Sequence, residues 1–172
     1  MQKFGKYILL VVFLLTAISG CSVQNKIPDI QIPTKFESDF NANFGTLELS
    51  GHISKFETGM YTFSITSPKT LDGINFNCVG NKITADINGI GFEADTQSLP
   101  SASFVKSVVN SLDTISKSSS VTATKTDGYN KYSASSQSGN FFILQECNSG
   151  NIVSLAIENA DISVNFIDFK TK

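Results

Sequence analysis

A period of two in the side chains, running with short interruptions from residue 36 to residue 169, narrows the fold of this chain more than any other feature. Phe36, Ser38, Phe40, Ala42 and Phe44 share one face, and Glu37, Asp39, Asn41 and Asn43 the other, the pattern of a strand with one wet side. Residues 46–56 continue it, with Leu47, Leu49, Gly51, Ile53 and Lys55 opposed to Glu48, Ser50, His52 and Ser54. After the turn signal Glu57-Thr58-Gly59, Tyr61, Phe63 and Ile65 stay in register until Ser67-Pro68, where the missing ladder donor ends the strand. Ile74, Phe76 and Cys78 follow. The clearest hairpin comes next: Ile83, Ala85 and Ile87 lead into Asn88-Gly89, and Ile90, Phe92 and Ala94 lead out, around the dipeptide best suited to a type I′ turn. Asp86, Glu93 and Asp95 face the other way.

One segment departs from this rhythm. Beyond Leu99-Pro100, the residues Phe104, Val105, Val108, Val109, Leu112 and Ile115 form a continuous stripe at helical spacing, which predicts a helix of roughly 13 residues with Ser101 or Ser103 as its cap. A helix of that length is marginal alone, so its apolar stripe must lie on the sheet. Residues 121–125, 129–135, 140–146, 152–158 and 162–169 then return to alternation, separated by Asp127-Gly128, Ser138-Gly139 and Ser149-Gly150. The expected fold is mainly β. It is an antiparallel curved sheet of ten to eleven strands, an incomplete barrel with one amphipathic helix in its concave face.

The first 21 residues read differently. Lys3 and Lys6 precede an apolar run from Ile8 to Ala17, too short to span a bilayer, followed by Ile18-Ser19-Gly20-Cys21. This resembles a secretion signal ending in the bacterial lipobox, in which the cysteine receives a diacylglycerol with palmitate-type chains and becomes the first residue after cleavage. The division expected is a signal peptide at 1–20, a lipid-anchored tether at 21–35 holding Pro28 and Pro33, and one β domain at 36–172. Ile30 and Ile32 are alternatively readable as the start of an edge strand. A lipobox implies a lipoprotein at the outer face of the cell membrane.

Composition excludes several functions. The 172 residues hold 13 Lys, no Arg and 15 Asp plus Glu, so there is no basic footprint for nucleic acid and no bidentate clamp for phosphate. His52, the only histidine, falls on a polar strand face, away from any G-x-S-x-G context. One His and two separated Cys do not make a zinc set. Glu93, Asp95 and Asp86 read as a solvated acidic face, and Gly89-x-Gly91 as turn chemistry. No cofactor, metal or catalytic role is expected. For Cys78 and Cys147 two states stay open: a disulfide, or two thiols behaving as small hydrophobes.

The order of parts, strands ended by Ser67-Pro68, a helix after Leu99-Pro100, then more strands, resembles the LolA and LolB family of lipoprotein carriers and receptors. The stretch from Gly59 to Pro100 is similar to clostridial envelope and spore-germination lipoproteins. The resemblance implies an incomplete barrel closed by a helix, which holds acyl chains in its concavity or a protein partner on its sheet. The chain lacks the carrier's Arg and the receptor's exposed aromatic loop, so lipoprotein transfer itself is not implied. Two functions are therefore expected of a non-catalytic binding module. In the first, Phe63, Phe76, Phe92, Phe104 and Val108 line a concavity for an apolar or lipid ligand. In the second, the domain is an adaptor that holds an envelope protein or enzyme at the membrane.

Overall fold

A computed structural model describes residues 32–117 and 120–172; the expected signal peptide, Cys21 and most of the expected tether lie outside the described residues. Eleven strands and one long helix follow in the order β1 (Phe36–Phe44), β2 (Leu47–Glu57), β3 (Met60–Ser67), β4 (Ile74–Val79), β5 (Lys82–Ile87), β6 (Ile90–Glu93), α1 (Pro100–Lys117), β7 (Thr122–Thr126), β8 (Tyr129–Ser136), β9 (Gly139–Glu146), β10 (Ile152–Ile157) and β11 (Ile162–Thr171). All pair antiparallel in one sheet, ordered β6-β5-β4-β3-β2-β1-β11-β10-β9-β8-β7. Only the β1–β11 contact joins distant strands, so most of the sheet is built from hairpins between sequence neighbours. Its ends, β6 and β7, stay apart, and the barrel is left open.

The period of two becomes burial. In β1, Phe36, Ser38, Phe40 and Ala42 are buried while Asp39, Asn41 and Asn43 are exposed. In β2 to β5 the buried positions are Leu49, Gly51, Ile53, Lys55, Tyr61, Phe63, Ile65, Ile74, Phe76, Cys78, Ile83 and Ala85. The Asn88-Gly89 turn has positive φ at both residues, 54° and 82°, as type I′ requires. Gly51 has a different reason to be glycine. A Cβ there would stand 2.2 Å from the Ser64 carbonyl oxygen and 3.0 Å from the Phe40 ring.

Helix α1 begins at Pro100 and runs 18 residues, longer than the apolar stripe alone predicts. Pro fits a first helical turn, whose N–H groups have no intrahelical acceptor. The expected serine cap is corrected. Ser101 lies inside the helix, buried, with a hydroxyl that finds no partner among the described residues. The approach is ordered instead by Asp95, whose carboxylate accepts from Gln97 N–H at 2.9 Å and from the Ser98 hydroxyl at 2.6 Å. Phe104, Val105, Val108, Leu112 and Ile115 are buried on the sheet. The helix touches β5 on one arm of the sheet and β8 on the other, which is possible only because the sheet curls round it.

Polar groups on the inner face are mostly satisfied. Ser38 donates to the Ile167 carbonyl at 2.7 Å, beside the register shift between β1 and β11. Tyr132 donates to Gln145 Oε1 at 3.0 Å, and Gln145 Nε2 donates to the Gly150 carbonyl. Ile32 is buried in the same core, and Lys172 N–H donates to the Lys35 carbonyl, so the packed region starts before β1. Gly51→Ala is expected to cost about 3 kcal/mol in urea denaturation by forcing β2 from β3. Gly91→Ala, whose added Cβ meets nothing closer than 4.0 Å, should move stability by under about 0.5 kcal/mol.

Candidate functional site

Phe63, Phe76, Phe104 and Val108 meet in the space between helix and sheet and fill it. Each is at most 1% exposed. Phe40 packs between the rings of Phe63, at 6.1 Å, and Phe104, at 5.9 Å, and Phe44 reaches Phe104 at 6.3 Å. Phe92 does not join them. It sits on β6 opposite Ala85 and is 42% exposed. None of the five lines the cleft at the turn end of the sheet.

That cleft, about 600 Å³, opens between the β2–β3 turn, the β4–β5 turn, the second half of α1 and the β8–β9 turn. Glu57, Met60, Val79, Asn81, Val109 and Lys117 are among the residues facing it. Its wall is fixed by Asp113. This carboxylate accepts from the Tyr61 hydroxyl at 2.7 Å and from Gly59 N–H at 3.3 Å, while Lys117, one helical turn on, donates at 3.3 Å. The two donors from outside the helix, Tyr61 and Gly59, pin it to the β2–β3 turn. Burial first, and the Asp113 carboxylate second, push the Tyr61 hydroxyl far above its ordinary titration range, so it stays a donor.

Behind this wall lies Lys55, paired in register with Phe36 and Tyr61 and 2% exposed. Its ammonium lies 5.7 Å from the Tyr61 ring centroid and has no hydrogen-bond partner among the described residues. Desolvation lowers its pKa below the usual lysine value; Asp113 opposes that shift. The alternation that placed Lys55 on the apolar face was thus literal, although nothing in a sequence separates a buried lysine from an edge-guarding one.

The open edge of the sheet carries a second surface. Ile87 pairs with Ile90 and Ala85 with Phe92, so Ile90 and Phe92 stand on the concave side, beyond the cover of α1. Ile90 is 72% exposed, and every residue of β6 is exposed. Ala94 N–H donates to the Ile83 carbonyl at 2.9 Å. By alternation, the N–H groups of Gly91 and Glu93 then point away from β5, toward a ladder position that no strand among the described residues fills. The opposite edge, β7, reads Thr-Ala-Thr-Lys-Thr, a polar strand with an edge lysine.

On the convex face, cross-strand pairing sets Asp39 against His52. His52 Nδ1 lies 2.8 Å from Asp39 Oδ1, and Nε2 lies 3.3 Å from Ser54 Oγ. The sequence hides this row, because Asp39 is joined to His52 only by register. The row has the order of an acid, a base and a hydroxyl. It stands in mid-sheet, where β2 is paired on both sides, so its backbone supplies no free pair of N–H donors to hold an oxyanion. Of the two states left open for the cysteines, the structure has the thiols. Cys78 and Cys147 are free thiols; five strands lie between β4 and β9 in the sheet, and a disulfide needs Cα atoms within about 7 Å. Burial pushes the Cys78 thiol up to about 12, and Cys147 donates to Asn130 at 3.4 Å. Among the described residues no group of three His, Cys, Asp or Glu is placed to hold a metal ion. Cys21 lies outside them.

No family model matches the chain. No curated protein matches it in sequence. Solved structures do. An uncharacterized conserved protein from Thermus thermophilus is 8% identical over 82% of this chain and 80% of its own, with a TM-score of 0.49. A LolA superfamily protein from Nitrosomonas europaea is 7% identical over 84% of this chain and 89% of its own, with a TM-score of 0.41. A chain in the complex of the CwlD amidase from Clostridioides difficile with the GerS lipoprotein is 14% identical over 79% of this chain and 84% of its own, with a TM-score of 0.49.

Replacing Lys55 by Met removes a buried charge and keeps the stem that packs beneath α1. The variant is expected to melt above the wild type at neutral pH. Because the folded-state pKa of Lys55 is lowered, the wild type gains stability as pH rises through that value toward the ordinary lysine range. The gap between the two proteins should therefore shrink at alkaline pH, as thermal melts across a pH series would read.

Proposed function

We propose that this protein is a non-catalytic docking module of the cell envelope, anchored at the outer face of the membrane through a lipid on Cys21, which holds a protein partner by its β5–β6 hairpin. The observation that carries this reading is the contrast between the two edges of the sheet. Edge strands are normally guarded by charge, proline or cover. Each edge carries one charge, Lys125 on β7 and Glu93 on β6, but β7 is otherwise polar, while β6 leaves Ile90 and Phe92 exposed beside outward N–H groups. An extended segment of a partner would continue the sheet there, with main-chain bonds supplying affinity and apolar side chains packing on Ile87, Ile90 and Phe92. The filled concavity supports the same choice, since the rings expected to line a lipid site pack on one another. Binding of an acyl ligand between helix and sheet would require α1 to lift from the sheet.

A photo-crosslinking residue placed at Ile90 in living cells is expected to give a discrete adduct that is abolished by Gly91→Pro, which removes an outward N–H and no existing ladder bond. The same residue at Thr124 on β7 should give none. Equal adducts from both edges, or none from Ile90, would refute the hairpin as the docking surface. Native mass spectrometry before and after organic extraction tests the lipid alternative, as a co-purifying mass of lipid size, lost on extraction, would return the function to the concavity. Cys21→Ser should move the protein from the membrane to the soluble fraction; retention on the membrane would remove the anchor.

A further inference from the structure

One end of the sheet gathers features that neither the core nor the docking hairpin uses. The row Glu57, Met60, Val79 and Lys82 runs in register across the turn ends of β2 to β5. Val79 is 60% exposed, and Phe56, next to that row on β2, is 49% exposed. One step inward runs the buried row Phe36, Lys55, Tyr61, Cys78 and Ile83. The chain enters the fold at this same end, through Ile32 and Lys35, and leaves it there through Lys172. The turn of the docking hairpin, Asn88-Gly89, lies at the other end of β5.

From these positions we infer that the protein stands end-on, with the β2–β3 and β4–β5 turns against the lipid surface, Phe56 and Val79 entering the interface, and the β5–β6 tip turned away from the bilayer. The inference rests on the Cys21 anchor proposed above and adds the orientation. Eleven peptide links join Cys21 to the buried Ile32, and an extended chain of that length reaches at most about 40 Å. A short leash attached at one end keeps that end near the membrane. The apolar side chains there are then the ones that meet lipid, which explains why a bulky aromatic and a valine are left in the open on a strand face that is otherwise polar.

Charge decides what kind of lipid contact this is. Lys35, Lys82, Lys117, Lys170 and Lys172 lie at this end, but Lys172 contacts Glu37, Lys82 stands 3.7 Å from Glu93, and Lys117 holds Asp113. Glu57 adds a further negative charge on the same rim. With three of these five lysines paired to carboxylates and Glu57 beside them, attraction to anionic headgroups is weak, and contact depends on apolar insertion and the leash.

The chain contains no tryptophan, so a single one reports its own surroundings. Phe56→Trp and Ile90→Trp would each be placed in the mature, lipidated protein and reconstituted into phosphatidylcholine vesicles with and without brominated acyl chains. Trp at 56 is expected to emit to the blue and to be quenched at least about twofold by bromine, while Trp at 90 is unchanged. Adding phosphatidylglycerol should alter the quenching little. Absence of quenching at 56, or equal quenching at both positions, overturns the orientation. The intact mass of the mature protein reads the lipid on Cys21 separately. If that lipid is missing, the Phe56→Trp protein without lipid is tested on the same vesicles. Quenching at 56 alone then supports the surface without the anchor, and loss of quenching overturns both.

Discussion

The contact on which the rest of the structure depends is the seating of one helix in a sheet much wider than itself. Eighteen residues of α-helix extend about 27 Å, whereas eleven strands about 4.8 Å apart would spread nearly 50 Å if flat. A flat sheet would leave most of its apolar face in water. The sheet curls instead, so that β5 and β8, far apart in strand order, both reach α1. Gly51 serves that curvature, since its missing side chain lets Phe40 and the β3 backbone close in. Helix and sheet therefore specify one another. Neither has an apolar partner without the other.

The same geometry explains where the surfaces of use are left. The helix covers the middle of the concavity with Phe104, Val108 and Leu112, and the rings beneath it fill the space a ligand would need. Past its reach the concave face continues onto β6, and there Ile90 and Phe92 remain uncovered. The convex face, by contrast, is closed chemistry. Ser50 donates to Asn41, Ser64 to Asn75 and Ser135 to Asn140, so hydroxyls and amides answer one another across strand pairs. The His52 row belongs to this pattern, a cross-strand polar ladder in which one member happens to be a base.

Lys55 is the point of conflict in the fold. A hydrophobe in its place would satisfy the alternation of β2, yet the chain keeps an ammonium next to Phe36 and Tyr61 with no hydrogen-bond acceptor among the described residues. The nearby Asp113 is already committed to Tyr61, Gly59 and Lys117. The cost of that burial falls at the end of the sheet where the chain enters, beneath the cleft and beside the exposed Phe56.

By itself the sequence determined the sheet, its turns and the single helix, because alternation, Asn-Gly and an i, i+4 stripe are local signals that tertiary packing then obeys. Phe36 to Phe44 and the Asn88-Gly89 hairpin are examples, read from neighbours alone. What only the tertiary structure decided is what those faces meet. The pairing of β1 with β11 sets residues about 130 positions apart side by side, as when Ser38 donates to the Ile167 carbonyl, and it settles which strands become edges. Cover is decided the same way. Phe92 and Phe76 look alike in an alternating pattern, but one lies under α1's reach and the other beyond it. Asp39 and His52, or Tyr61 and Asp113, become partners only through register and helix placement. The reason is physical: a period tells a side chain which face it takes, while burial and partnership depend on distances that long-range packing alone creates.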